Sequence, residues 1–196
     1  LPEIDILFVE AQQWEREQLA EHCQQCANPC VPHAFPERLK ELEDARLPEG
    51  LTILSPFIHD RIDAGQLDRL PEIEMIATRS TGYDHIDLDE CNRRGIVVSN
   101  VPNYGENTVA EHTIALLLAL TRKIHRCYER TVRGDFSIEG LRGKDLHGRT
   151  FGCLGTGAIA RRVLRIAKGF GMKLLAYDIK PDEDLAAEIG FEYVSF

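Results

Sequence analysis

The chain lacks an excess of basic residues and any long apolar run. Its 196 residues carry a formal net charge of −9, which argues against general affinity for nucleic acid or an anionic membrane because both require clustered Lys and Arg. The longest apolar run, Ile114–Leu120, is far shorter than the ~20 residues that span a bilayer. No apolar signal segment opens the sequence. We therefore expect a soluble, cytoplasmic protein without nucleic-acid or membrane partners.

The six cysteines lack the two-pair spacing that is typical of structural zinc sites. Cys23, Cys26 and Cys30 form C-x2-C-x3-C, which could begin a zinc or iron–sulfur site. Alternatively, Cys23 and Cys26 simply lie one turn apart on a helix. We expect free thiols in a reducing compartment and no metal site.

A glycine-rich turn, Gly155-Thr156-Gly157-Ala158-Ile159-Ala160, is the most informative motif that is present. It follows the apolar run Phe151–Leu154 and precedes the helix-like stretch Arg161–Lys168. In a dinucleotide-binding βαβ unit, the first glycine (Gly155) allows the tight turn and the second (Gly157) lets the backbone approach a pyrophosphate. The helix N-terminus then offers N–H groups and a positive dipole end to the phosphates.

An acidic residue stands where such a unit requires one. Asp178 ends the next apolar run, Lys173–Tyr177, 23 positions after Gly155. A carboxylate there can accept hydrogen bonds from the adenosine ribose, which favours NAD over a cofactor with a 2′-phosphate. An ordinary strand–turn–helix is the alternative reading of the glycines, but the spacing to Asp178 and the two flanking strands favour a dinucleotide site.

The first hundred residues alternate strand-like and helix-like stretches, which predicts parallel sheets covered by helices. The predicted strands are Ile4–Val9, Cys30–Phe35, Leu51–Ser55, Glu74–Arg79 and Ile96–Ser99, and the predicted helices are Gln13–Cys26, Glu37–Asp44, Asp63–Leu70 and Leu88–Arg94. Since open α/β sheets bind ligands beyond the carboxyl ends of their strands, the loops after Leu54, Thr78 and Val98 are candidate sites.

Two of these loops carry candidate functional groups. The turn from Arg79 to His85 can present successive backbone N–H groups to an anion such as a substrate carboxylate, or it can be a plain turn. His85 can titrate near neutral pH, but the sequence gives it no reaction partner. In the loop Asn100–Thr108, Tyr104 is either a phenol donor in a cleft or a packing residue at a hinge.

The stretch Glu106–Arg126 predicts one long helix that is apolar nearly all round, and therefore buried between domains or subunits. Within it, the pair Glu111 and His112 is interpreted as a hydrogen-bonded structural pair, because buried polar groups need partners. The following segment, Phe136–Arg149, carries three glycines and is expected to be irregular.

Two segments, Ile76–Ile124 and Leu146–Pro181, resemble the NAD-dependent D-isomer-specific 2-hydroxyacid dehydrogenases, most closely their D-lactate dehydrogenase-like members. The resemblance implies a flavodoxin-like substrate domain (residues 1–101) and the first half of a Rossmann-type NAD-binding domain (residues 102–196). The family's substrate-binding positions fall on Ser80, Thr81, Gly82 and Tyr104. Its cofactor-binding positions fall on Thr81, Gly155, Gly157, Ala158, Ile159 and Asp178. Ala158 replaces a basic residue that many members carry, which removes a pyrophosphate contact.

The implied reaction is reduction of a small 2-oxo acid by NADH to the D-2-hydroxy acid. In the family, the catalytic arginine, glutamate and histidine lie beyond the position of Phe196, so we expect no turnover from this chain alone. The alternative is an NAD-binding regulatory module, comparable to the nucleotide-sensing corepressors that resemble the family. We also expect a homodimer, with the apolar helix Asn107–Arg126 as a candidate interface.

Overall fold

The computed structural model describes residues 3–28 and 30–196. The chain divides into two compact units, Leu1–Tyr104 and Gly105–Phe196. No helix in the described ranges has the length and apolar character needed to cross a membrane. The division lies three residues beyond the predicted boundary between residues 101 and 102, and the roles predicted for the two parts remain predictions.

The first unit is built on a five-stranded parallel sheet in the order β2-β1-β3-β4-β5. This is the doubly wound order of the flavodoxin-like fold. Its elements are β1 (Ile4–Phe8), α1 (Gln13–Gln25), β2 (Cys30–Ala34), β3 (Ile53–Ser55), α2 (Ala64–Asp68), β4 (Met75–Ala77), α3 (Leu88–Arg94) and β5 (Val97–Ser99). Leu7, Leu54 and Ile76 of the central strands are completely buried, so the core lies along these strands.

The prediction of a helix over Glu37–Asp44 in this unit is wrong. The segment instead forms two short 3₁₀ turns, Leu39–Glu41 and Asp44–Arg46. The Arg69 guanidinium donates to the backbone carbonyls of Leu39 and Leu42, and the Leu39 carbonyl also accepts the Leu42 amide at 3.2 Å, an i+3 hydrogen bond in place of the i+4 bond of an α-helix. A side chain about thirty residues away thus stabilises 3₁₀ turns where the local pattern predicts an α-helix.

The second unit contains a three-stranded parallel sheet in the order β6-β7-β8. Its elements are α4 (Glu106–Thr121), α5 (Ile124–Val132), β6 (Thr150–Leu154), α6 (Ala158–Gly169), β7 (Lys173–Tyr177), α7 (Glu183–Ile189) and β8 (Glu192–Tyr193). The segment between α5 and β6 has no regular element, as predicted. Parallel sheets flanked by helices in both units confirm the predicted α/β fold class.

The predicted long helix Glu106–Arg126 is divided into α4 and α5 at Lys123, which has a φ of 56°. The Thr121 carbonyl accepts the Lys144 amide, and a Cβ on Gly143 would lie 2.7 Å from that same carbonyl oxygen. The close approach of the 143–144 backbone therefore ends α4 and requires glycine at position 143. Only Ala110 and Ile114 of α4 are buried, so much of its apolar surface is exposed within this unit.

Candidate cofactor and substrate sites

The glycine turn joins β6 to α6 and leaves the start of that helix open. Gly155 has a φ of 86°, a conformation that L-residues adopt at a cost. Gly157 precedes α6 in an extended conformation without a side-chain cap, and a Cβ there would meet no atom within 4 Å. Ala158 and Ile159 are exposed in the first turn of the helix. Open space and uncapped N–H groups fit a pyrophosphate.

Asp178 lies directly after β7, beside this turn. Its Oδ1 accepts the Lys180 amide at 3.0 Å, while its Oδ2 accepts both the amide and the hydroxyl of Thr156 at 2.7 and 2.8 Å. The Lys180 and Thr156 hydrogen bonds lower the pKa of Asp178 to about 2. The carboxylate is therefore ionised at neutral pH and held in one orientation, which suits it to accept ribose hydroxyls.

Thr156 belongs to the candidate cofactor site, although the sequence analysis did not single it out. Its side chain is buried, with 4% exposure, although it stands between two glycines in an exposed turn. The glycine pattern leaves this position unspecified, so only the Thr156–Asp178 contact across 22 residues identifies its role.

The predicted substrate-carboxylate loop follows β4 in the first unit. The Ser80 hydroxyl is buried and donates to the Gly82 carbonyl at 2.7 Å, and the Thr81 hydroxyl donates to the Val101 carbonyl at 3.0 Å. Both side chains thus stabilise the loop itself. In the described part of the chain, the Thr81 and Gly82 amides donate no hydrogen bond, so the backbone is the group that this loop offers to an anion.

A buried ion network lies beside the loop at the carboxyl ends of the strands. Arg79 donates to the backbone carbonyls of Val9 at 2.9 Å and Ser55 at 2.5 Å, and its Nε lies 3.5 Å from a Glu15 carboxylate oxygen. Glu10, only 6% exposed, accepts the amides of Phe57 and His59 at 2.9 and 3.0 Å. These charges hold β1, β3 and β4 together.

Tyr104, the predicted cleft tyrosine, is the last residue of the first unit and its side chain is 59% exposed. It lines a cavity of about 610 Å³ within that unit, together with Trp14, Phe57, His59 and Arg79. Arg79 and Tyr104 both line this cavity, and because Arg79 directly precedes Ser80, the cavity lies next to the 80–82 loop. Tyr104 is therefore available to a ligand in the cavity.

His85 has partners that the sequence did not reveal. Its Nε2 lies 3.3 Å from the Thr78 hydroxyl, which lies 2.7 Å from the Ser80 hydroxyl. Burial lowers the pKa of His85 below its ordinary value, so the ring is neutral at pH 7 and supports the loop by hydrogen bonding. The interpretation of Glu111 and His112 as a buried pair is wrong, because both side chains are exposed on α4.

The six cysteines are free thiols. Cys30 Sγ donates to the Cys23 carbonyl at 3.5 Å, and burial raises the pKa of the Cys91 and Cys153 thiols. Within residues 3–28 and 30–196, no group of three or more His, Cys, Asp or Glu side chains is arranged to hold a metal ion.

Comparison with known proteins identifies the family. Residues 6–186 match the family model described as D-isomer specific 2-hydroxyacid dehydrogenase, catalytic domain. The chain belongs to the D-isomer-specific 2-hydroxyacid dehydrogenases. The chain is 39% identical over 194 residues to 2-hydroxyacid dehydrogenase homolog 1 of Schizosaccharomyces pombe, covering 96% of this chain and 57% of that protein. It is 41% identical over 152 residues to D-lactate dehydrogenase of Escherichia coli, covering 76% and 46%.

Solved structures identify the same family. The D-lactate dehydrogenase of Aquifex aeolicus, complexed with NAD and lactic acid, superposes with a TM-score of 0.83 at 32% identity, covering 97% of this chain and 56% of that one. The apo D-lactate dehydrogenase of Escherichia coli gives a TM-score of 0.82 at 34% identity, covering 98% and 60%. The chain spans about half the length of the relatives it matches.

These findings confirm the predicted resemblance and the α/β fold class. They also confirm NAD as the cofactor at the level of the family, whose members are oxidoreductases that act on CH–OH donors. The individual binding residues stay predictions.

Proposed function

We propose that this chain forms the substrate-binding unit and the adenosine-binding half of an NAD-dependent D-2-hydroxyacid dehydrogenase of the D-lactate dehydrogenase type. The observation that carries the proposal is the Asp178 carboxylate, ionised and fixed beside an open helix N-terminus. Gly155, Gly157, Ala158 and Ile159 would receive the pyrophosphate and Asp178 the adenosine ribose. A bound NADH supplies the hydride for reduction of a 2-oxo acid.

In the first unit, the free backbone amides of Thr81 and Gly82 would hold the substrate carboxylate, with Ser80 and His85 supporting that loop. Tyr104 would donate its phenol to the substrate from the adjoining cavity. Thr81 would also lie near the nicotinamide, as the family resemblance implies. The substrate class is a small 2-oxo acid such as pyruvate, and a cytoplasmic location is part of the same proposal.

Calorimetric titration with NADH and NADPH tests the cofactor role. We expect NADH to bind and NADPH to bind more weakly, because the ionised Asp178 repels a 2′-phosphate. Asp178→Ala should weaken NADH binding at least tenfold. Asp184→Ala, which changes an exposed acid on α7 of the same unit, is the matched control. An Asp178→Ala variant that binds NADH like the unchanged chain would contradict this assignment.

Turnover is tested separately with NADH and pyruvate. We expect these 196 residues by themselves to give no enzyme-like rate, because the family resemblance implies that the catalytic arginine, glutamate and histidine are not among them. Steady NADH consumption by the purified chain would overturn that expectation. NADH binding by the longest available form of the protein, without turnover of any 2-oxo acid, would instead favour the regulatory-module alternative.

A homodimer is also part of the proposal. The exposed side chains of α4 and α5 include an unusual number of apolar groups. These are Val109, Leu116, Leu120, Ile124, Tyr128 and Val132, each 46–70% exposed. Sedimentation velocity should detect a dimer that Leu116→Glu and Leu120→Glu weaken. A monomer at all concentrations would contradict it.

A further inference from the structure

The hydroxyl of Tyr193 reaches the cofactor site from the edge strand of the second sheet. Tyr193 ends β8 and pairs with Ala176 of β7. Its ring packs edge-on against Phe191, with 5.0 Å between centroids. Its Oη lies 3.0 Å from the Thr156 Oγ1 and 3.1 Å from the Asp182 amide nitrogen. A residue 37 positions from the glycine turn therefore touches that turn directly.

The chemistry of the four groups fixes the direction of every hydrogen bond. The Asp182 amide can only donate, so the Tyr193 oxygen accepts from it. At neutral pH the Asp178 carboxylate can only accept, so the single Thr156 hydroxyl proton points to it. The Tyr193 proton must then go to the Thr156 oxygen. The result is one series of hydrogen bonds, in which the Asp182 amide donates to Tyr193, Tyr193 donates to Thr156, and Thr156 donates to Asp178.

This series of hydrogen bonds determines which Asp178 carboxylate oxygen can still accept a hydrogen bond from a ligand. The Asp178 Oδ2 already accepts two hydrogen bonds from Thr156, whereas Oδ1 accepts one, from Lys180, and the Ile179 amide adds a weaker interaction with the carboxylate. Each carboxylate oxygen has about two lone-pair positions. The Oδ1 atom therefore keeps the free acceptor position, provided that the Thr156 hydroxyl stays turned toward Oδ2.

We propose that Tyr193 is a positioning residue of the cofactor site, whose hydroxyl holds Thr156 in the rotamer that presents Asp178 Oδ1 to the adenosine ribose. The inference rests on the proposed NAD-binding function. Tyr193 acts only through Thr156 and does not itself touch the cofactor. Because donors along such a chain polarise one another, loss of the Tyr193 hydroxyl also weakens the hydrogen bond that Thr156 gives to Asp178.

A double-mutant cycle tests whether Tyr193 affects NADH binding through Thr156. Tyr193→Phe removes the hydroxyl and keeps the ring, and Thr156→Val removes the hydroxyl and keeps the side-chain shape. By calorimetry, we expect Tyr193→Phe to raise the Kd for NADH about fivefold, which is the effect of one neutral hydrogen bond. We expect Thr156→Val to raise it by at least about tenfold, since that hydrogen bond is to a charged group.

The double variant should bind NADH no more weakly than Thr156→Val alone, because Tyr193 is proposed to act on the carboxylate through Thr156. Thr156→Ser keeps the hydroxyl and should restore binding to within about twofold of the unchanged chain. Tyr177→Phe is the matched control: Tyr177 lies in the neighbouring strand, and its hydroxyl makes no hydrogen bond to any described residue.

Three outcomes overturn the inference. The first is an unchanged Kd in Tyr193→Phe while the unchanged chain binds NADH, even if the melting temperature falls, because the hydroxyl would then be merely structural. The second is a further fivefold loss when Tyr193→Phe is added to Thr156→Val. The third is the absence of NADH binding in the unchanged chain, which would overturn the proposed function as well.

Discussion

In both units the parallel strands end in loops that carry charged side chains, but the burial and the role of these side chains differ between the units. In the first unit, Glu10 is buried and Arg79 largely buried, and both bind backbone groups of neighbouring strands. In the second unit, Asp178 also binds backbone amides, yet it stays partly exposed beside an uncapped helix. The first arrangement stabilises the fold and the second leaves charge available to a ligand.

The comparison shows that a charged residue at a strand end is not by itself a sign of a binding group. Arg79 would be an attractive carboxylate-binding cation from its position before Ser80, but its Nη1 and Nη2 groups donate to the carbonyls of Ser55 and Val9 and its Nε faces Glu15. The anion-binding capacity of that loop lies in its backbone. Substitutions in the first unit should therefore affect folding most, and substitutions in the second should affect binding most.

The largest effect is expected from Arg79→Gln. Removal of the guanidinium leaves Glu15 without its paired cation and removes the favourable field of Arg79 at the buried Glu10, and breaking a largely buried pair costs about 3 kcal/mol in the free energy of unfolding. Urea unfolding followed by fluorescence measures this loss, because the single tryptophan of the chain, Trp14, lies in α1 of the same unit.

Arg46→Gln is the control for that experiment. Arg46 pairs with Glu37 at 2.9 Å, with both side chains partly exposed, and such pairs contribute about 0–1 kcal/mol. If Arg79→Gln destabilised the first unit no more than Arg46→Gln does, Arg79 would not hold the strand ends together, and the contrast between the two units would be lost.

An intermediate effect is expected at the two glycines of the cofactor turn, which should separate stability from binding. Gly155→Ala forces an L-residue to a φ of 86° and should cost about 1–2 kcal/mol of folding free energy. Gly157→Ala should leave stability unchanged, because its backbone is extended and its Cβ would meet no atom. That Cβ would instead occupy the space of the pyrophosphate, so NADH binding should fall at least tenfold.

Urea unfolding followed by circular dichroism and calorimetry with NADH measure the two quantities on each variant. Unchanged NADH affinity in Gly157→Ala would place the pyrophosphate away from this turn. Unchanged stability in Gly155→Ala would mean that the turn relaxes without strain.

Elements whose signals are local were predictable from the sequence. Helix α3 (Leu88–Arg94) has an Asp87 cap at its start and Gly95 in the left-handed conformation at its end, and its predicted bounds are confirmed. The same holds for β7, an apolar run that begins soon after Gly171 and ends at the acidic Asp178. In both cases the residues that begin and end the element lie within a few positions of it.

The features that escaped prediction depend on distant contacts. Arg69 converts the predicted helix at 37–44 into 3₁₀ turns, and the 143–144 backbone ends α4. The hydrogen bond between Tyr193 and Thr156 and that between Arg79 and Val9 join positions 37 and 70 residues apart. A pattern of residue types does not show which distant residues pair. The strands, turns and helices that form both sites were therefore predictable, whereas the partners of their polar side chains were not.

The smallest effect is expected from His85, which acts in the first unit through a hydrogen bond. Burial lowers its pKa in the folded chain, so between pH 7 and 5 the unfolded chain binds more protons at this site. The His85 contribution to stability is complete above the ordinary pKa of about 6.5 and is lost as the pH falls through the lower pKa of the folded state. The facing carboxylates of Glu10, Asp84 and Asp60 offset part of this shift, which keeps the effect small.

We therefore expect His85→Asn to lose about 1 kcal/mol at pH 7.5 through its hydrogen bond to Thr78 and to show a shallower fall in unfolding free energy from pH 7.5 to 5.5 than the unchanged chain. His22→Asn, a change at an exposed position on α1 of the same unit, should keep the original pH dependence. The measurement is urea unfolding at four pH values, followed by Trp14 fluorescence. Parallel pH profiles for His85→Asn and the unchanged chain would mean that His85 titrates alike in both states, and the hydroxyl network around Ser80 would then be insensitive to protonation.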